Sequence, residues 1–168
     1  YHSNPFRRRE ARRAKPALAP VAAGSTTGRV ALFVTCYGNR NEPDLAEDLV
    51  AILEHNGIPV TLADSERCCG MPKLELGDLE AVARLKEHNI PRLAELAAAG
   101  HDFLAVVPSC VLMFRKELPL LFPDDEQVAA VAQRFFDPFE YLLQRHAAGL
   151  LRTDFSGSSC CVRVSFDA

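Results

Sequence analysis

The tightest constraint on the fold is a run of eight residues, Arg29 to Cys36, reading RVALFVTC. It is rich in β-branched and aromatic side chains and has almost no polar alternation, as expected of a strand buried on both faces. Two shorter runs of the same kind follow, Ile58 to Leu62 and Phe103 to Val107, and the intervals between them are long enough for helices. Pro43 suits a first helical position, and Leu45, Leu49, Ile52 and Leu53 give an apolar stripe at helical spacing that Asn56 and Gly57 end. A strand, a helix and another strand make a βαβ unit, with parallel strands and a right-handed crossover.

Gly77 and Asp78 open a longer helical stretch, with Asp78 as its cap and Leu79, Val82, Leu85, Leu93 and Leu96 facing inward. Pro91 is expected to kink or split it. Short helices are predicted over Leu112 to Leu120, ended by Pro119, over Gln127 to Phe135, and over Pro138 to His146, the last with Tyr141, Leu142 and Leu143 inward. Val162, Val164 and Phe166 alternate as a final strand would. The pattern predicts an α/β fold: three layers, with a mostly parallel sheet of about four strands and flanking helices built from Rossmann-like βαβ units.

Composition narrows the class. At 168 residues, 48% hydrophobic and 24% charged, the chain has the apolar material for one globular core. Its net charge of −3 hides an asymmetry, since residues 1–28 sum to +5 and the remainder to −8. That basic leader has no apolar segment of the secretory kind, and nowhere do 18 apolar residues run together as a membrane span requires. A cytoplasmic chain is expected, its six cysteines reduced and suited to metal or redox work rather than to a disulfide scaffold. The chain starts at Tyr1 and enters a Pro- and Ala-rich stretch, which reads as a linker over 1–28 ahead of a cysteine-rich α/β domain over 29–168. The whole is expected to be a fragment of a longer multidomain protein. Arg7 to Lys15 carry no interleaved aromatics and no nucleic-acid fold follows, so they read as a solvated tether rather than a phosphate or membrane-surface patch.

The cysteines carry the chemistry. Cys36 ends the first strand, Cys68 and Cys69 follow the second, and Cys110 follows the third in Pro108-Ser109-Cys110. In an open parallel sheet the carboxyl ends of all strands lie along one edge, so these four side chains are expected to converge on one crevice. The spacings, 31 residues between Cys36 and Cys68 and 40 between Cys69 and Cys110, exclude a local C-x-x-C chelate. Adjacent cysteines diverge and do not readily close on one tetrahedral ion, whereas each can hold a different iron of a cluster. Zinc, or iron with inorganic sulfide, suits such a set. Cys160 and Cys161 in the tail are not expected to join it if Val162 to Phe166 run as a parallel strand, which puts them on the opposite edge; in a loose loop that objection disappears.

With Asn41-Glu42-Pro43, Leu53 to Gly57, Cys68-Cys69-Gly70-Met71-Pro72, Gly77-Asp78 and Pro108-Ser109-Cys110 beside Cys36, the chain resembles the cysteine-rich Cys-Cys-Gly domain family. That family includes the heterodisulfide reductase B subunit, the glycolate oxidase iron-sulfur subunit and the anaerobic glycerol-3-phosphate dehydrogenase C subunit, and the likeness looks closest to the last. The resemblance covers roughly residues 29–120. It implies an iron-sulfur cluster, 4Fe-4S and in some members noncubane, held by Cys36, Cys68, Cys69 and Cys110. It also implies electron transfer between a flavin dehydrogenase partner and a quinone or disulfide acceptor, with no turnover by this domain alone and membrane association only through partners. Two departures stand out: Cys110-Val111-Leu112-Met113 stands where the family's fullest pattern has Cys-x-x-Cys, and these 168 residues end before the second copy of the domain usual in the family, as expected of a fragment.

Other readings remain open on the residues themselves. Cys36 and Cys110 suit small buried hydrophobic positions. A zinc-binding or metal-free domain that docks a dehydrogenase partner, and a thiol-disulfide site using the vicinal pair, are the alternatives. His55, His88, His101 and His146 read as surface residues, Met113 as core, and Glu47, Asp48, Glu80, Glu87 and Glu95 as a solvated helix face.

Overall fold

The computed structural model describes residues 2–64 and 66–154. The expected tail strand and Cys160 and Cys161 lie outside them. Four strands, β1 (Val30–Phe33), β2 (Val60–Leu62), β3 (Asp102–Ala105) and β4 (Phe135–Phe136), form one sheet in the order β2-β1-β3-β4. Every pairing is parallel, with Val30 opposite both Val60 and Asp102, and Phe103 opposite Phe135. The fourth strand is therefore Phe135–Phe136, at the end of what the sequence suggests is a helix. Two residues show no period, so their β character comes only from pairing with β3.

Alternation on the strands splits the core in two. Ala31, Phe33, Phe103, Ala105 and Phe135 face one side, and Val30, Leu32, Val34, Leu104 and Phe136 the other. The first face is covered by α5 (Leu79–Ala98), α8 (Glu126–Arg134) and a helical run made of α6 (Pro108–Leu112), a π-helical turn at Met113–Glu117 and α7 (Leu118–Leu121). Phe33, Phe114 and Phe135 pack there with ring centroids 4.7–6.3 Å apart, within the range favoured by aromatic pairs. The second face is covered by α3 (Pro43–His55), α9 (Pro138–Ala147) and α1 (Phe6–Glu10).

Several local expectations hold for stated reasons. Pro43 opens α3, Gly57 leaves it at φ 72°, and the Asp78 carboxylate accepts from Ala81 N–H at 3.0 Å to cap α5. Others are corrected. Pro91 does not split α5, which runs unbroken; Pro91 and Glu87 face solvent, so water can satisfy the carbonyl that proline leaves without a donor. Pro119 sits in the first turn of α7 and does not end the helical run, which starts at Pro108 and absorbs its irregularity in the π turn. Leu45, Leu79 and Leu143 are exposed, each lying at the margin of its helix's apolar stripe.

The largest correction concerns the leader. Arg7 to Lys15 do not form a solvated tether throughout: Phe6 is fully buried among Val30, Leu32 and Val34, and the helix it starts lies against α3. Arg9 pairs with Asp44 and Glu47 at 2.7 and 3.1 Å, and Arg13 with Glu10 and Glu54 at 2.8 and 2.6 Å. The arginines serve as local partners for the acidic face of α3. Burying Phe6 alone is worth about 1.5–3 kcal/mol, enough to hold a short segment that has no intrinsic helical stability.

Candidate metal centre

The carboxyl edge of the sheet carries the four expected cysteines. Strand order reverses between β1 and β3, which makes the space above those two strands the binding crevice of this topology. Cys36 begins α2 (Cys36–Arg40) just past β1, Cys68 and Cys69 precede α4 (Met71–Glu75) after β2, and Cys110 lies in the first turn of α6 after β3. Cys36 is exposed, Cys68 half-buried, and Cys69 and Cys110 are buried.

The thiols stand close together. Cys110 donates to Cys69 with the sulfurs 3.2 Å apart, and Cys68 lies near enough to interact with both Cys36 and Cys69. Negative charge on Cys69, Cys36 or Cys68 is felt at Cys110. The Cys110 hydrogen bond pulls Cys69 down to about 7 against the opposing effect of burial, and the Met71 N–H and Cys68 add to the pull. Cys110, holding the shared proton in a buried place, is pushed far up. Burial also raises Cys68. The edge thus has one thiol, Cys69, biased toward its thiolate form, beside a neighbour, Cys110, that holds its proton.

Backbone geometry around the cysteines is specialised. Thr35 has φ 69°, uncommon for a β-branched residue, and its hydroxyl accepts from Gly38 N–H at 2.9 Å to start α2 at Cys36. Gly38 lies so close to β3 that a Cβ there would stand 2.7 Å from Val106 Cγ2. Gly70 has φ 102°, and a Cβ would meet Met113 Cε at 3.4 Å. The glycine of Cys68-Cys69-Gly70 is thus required by the turn that sends the chain from the cysteines into α4.

Polar residues that sequence reasoning did not single out hold these loops. The Glu66 side chain, 8% exposed, accepts from Val34 N–H at 3.0 Å and also from Thr35 N–H, and pairs with Arg7 at 3.0 Å. Burial pushes its carboxyl up to about 7, against Arg7 and the two N–H groups, which favour the charged form. Asn89 on α5 accepts from Arg67 N–H at 2.9 Å and donates to the Cys68 carbonyl at 3.1 Å. Phe6, an aromatic directly before a basic run, was the one available signal for the Arg7 contact. Nothing in the residue types marks Glu66 or Asn89.

Of the remaining candidates, Met113 is fully buried against Gly70. His55 lies 3.1 Å from Asp154, and His101 is nearly buried beside the Leu96 carbonyl, so neither joins the cysteines. Among the described residues, no three His, Cys, Asp or Glu side chains stand around one point so as to hold a single ion.

The model of the CCG cysteine-rich domain matches residues 30–115, about half of the chain and all four of these cysteines. The chain belongs to the CCG cysteine-rich domain family. This CCG domain is 35% identical over 96 residues to lactate utilization protein A of Exiguobacterium sp., covering 57% of this chain and 38% of that protein. It is 30% identical over 131 residues to lactate utilization protein A of Bacillus cytotoxicus, covering 78% of this chain and 52% of the relative. With the anaerobic glycerol-3-phosphate dehydrogenase C subunit of Escherichia coli it shares 30% identity over 92 residues, 54% of this chain and 23% of that relative. The aligned part thus amounts to between about a quarter and about half of the length of these relatives. No solved structure matches it. The resemblance to the glycerol-3-phosphate dehydrogenase component is met here, and the lactate utilization proteins extend it.

Proposed function

We propose that this CCG domain holds an iron-sulfur cluster on Cys36, Cys68, Cys69 and Cys110 and serves as an electron-transfer part of an oxidoreductase complex. The observation that carries the reading is the gathering of four thiols along one sheet edge, two of them sharing a hydrogen bond at 3.2 Å. Thiolates are the ligands of such clusters, and four of them spread along an edge, two adjacent in the chain, suit several irons better than one tetrahedral ion.

A bound cluster would supply reversible one-electron chemistry at a potential set by burial and by hydrogen bonds to sulfur. The chain's own residues do the rest. Met71 N–H, already directed at the Cys69 sulfur, would stabilise charge on it, and buried Met113 and Phe114 keep water from the inner side. Loading would release the proton held on Cys110, because a ligating thiol is deprotonated. Exposed Cys36 puts one end of the set within reach of a partner. The relatives' names, lactate utilization protein A and the anaerobic glycerol-3-phosphate dehydrogenase C subunit, support a dehydrogenase complex that acts on a small hydroxylated metabolite. A flavin dehydrogenase as electron donor and a quinone or disulfide as acceptor belong to the same proposal. Among the described residues no helix is long and apolar enough to cross a membrane.

The test is anaerobic reconstitution of the chain with iron and sulfide, followed by metal and sulfide analysis and EPR. The expected result is uptake of both elements and a paramagnetic signal that the Cys68→Ser/Cys69→Ser protein loses. Full uptake by that double variant, or stoichiometric zinc without sulfide in its place, overturns the reading.

A further inference from the structure

The two halves of the candidate site are secured differently. Cys69 and Cys110 are buried members of the core cluster, so packing holds them. Cys68 is half-buried and only borders that cluster, and Cys36 is exposed and outside it, so packing holds these two less firmly. What lies across those two loops is the N-terminal segment.

Its contacts reach both. On the Cys36 side, Arg7 N–H donates to Asn39 Oδ1 at 3.1 Å and His2 N–H to the Arg40 carbonyl at 2.7 Å, both acceptors lying in the helix that Cys36 begins. On the Cys68 side, the Arg7 guanidinium donates to the Ala63 carbonyl at 2.5 Å and pairs with Glu66 at 3.0 Å, two residues before Cys68. Glu66 completes the circuit by accepting from Val34 and Thr35, immediately before Cys36. Phe6 and the Arg9 ion pairs, which flank Arg7, anchor the segment and keep Arg7 in place.

We propose that the Phe6–Glu10 segment is a clamp on the cysteine site, in which Arg7 and Glu66 tie the Cys36 loop to the Cys68 loop and hold those two thiols at a fixed spacing. Arg7 and Glu66 are positioning residues: they set where two sulfurs stand and touch neither. Both are needed, because removing one leaves the other charge largely buried without its partner and both loops without their shared bond. Arg suits the position better than Lys, since its planar fork serves a carbonyl and a carboxylate at once. The importance of the spacing for cluster binding rests on the function proposed above; the clamp itself does not.

Hydrogen exchange followed by mass spectrometry on the metal-free chain tests it without any cluster, so failure of cluster uptake and failure of the clamp are separate outcomes. Arg7→Ala is expected to speed exchange in residues 34–39 and 66–69 by roughly tenfold or more, the scale of breaking a partly buried pair, while 126–134 keeps the parent rate. Cross-linking of Cys36 to Cys68 by dibromobimane should slow in parallel. Arg13→Ala, which removes a different anchor of the same segment, should leave both loops near the parent rate, and Arg7→Lys should fall between the parent and Arg7→Ala. If Arg7→Ala does not fold, Glu66→Gln, which keeps an acceptor for Val34 but loses the ion pair, carries the same expectation at smaller size. Uniform acceleration across the chain, or parent-like exchange in both loops for Arg7→Lys and Glu66→Gln alike, overturns the clamp.

Discussion

Gly70 shows how a single position can be both legible and incomplete in a sequence. A glycine after two cysteines already suggests a tight backbone, and its φ of 102° confirms that no side chain is comfortable there. The side chain that lies nearest, Met113, is 43 residues away in the chain and gives no sign of the contact. Gly70→Ala is therefore expected to lower stability by about 1–2 kcal/mol through the left-handed backbone. Urea unfolding measures it, and an unchanged midpoint would contradict the geometry. The four cysteines were legible because strand ends can be read from apolar runs. Glu66 and Asn89 were not, since a carboxylate or amide that bonds a backbone group leaves no periodic trace.

At the scale of elements, β1, β2, β3, α3 and α5 follow from periodicity and from Pro43, Gly57 and Asp78 at their ends. The elements that escape are short ones stabilised only by tertiary contact. β4 is two residues and exists because Phe135 and Phe136 pair with β3 while facing opposite cores. Helix α1 exists because Phe6 is buried beside Val30 and Leu32, so a basic stretch that composition marks as tether is folded onto the domain. Phe6→Ala should then cost about 3–5 kcal/mol, the loss of a fully buried aromatic ring from a packed core. Thermal or denaturant unfolding checks this, and a change within about 0.5 kcal/mol, as for a surface site, would return the segment to the status of tether.

Across the whole molecule, the sheet has chemistry at one edge and a buried acid at the other. Asp102, at the start of β3, is fully buried and accepts from Thr27 N–H and Oγ1 at 2.6 and 2.8 Å. Its second oxygen has no hydrogen-bond partner, and Arg134 stands 3.6 Å from it. Burial raises its pKa against these contacts, so the folded chain binds this proton more tightly than the unfolded chain does. The stability linked to Asp102 is thus fully present below the unfolded carboxylate value of about 3.9 and is lost as pH rises through the raised folded value. The parent's melting temperature minus that of Asp102→Asn should fall with rising pH across that interval and then level off. A difference that grows with pH would reverse the sign and exclude a raised value.

The lengths of the outer strands bear on how the chain behaves in concentrated solution. Among the described residues the two margins of the sheet are β2 and β4, of three and two residues. An exposed strand edge templates pairing with another chain in proportion to its length and flatness. Such short margins give an incoming strand only two or three residues to zip onto. The polar side chain of Thr61 lies exposed on one of them. Colloidal self-association by sheet extension is therefore suppressed by geometry, and the longer central strands, where a template would form most readily, are sealed between neighbours.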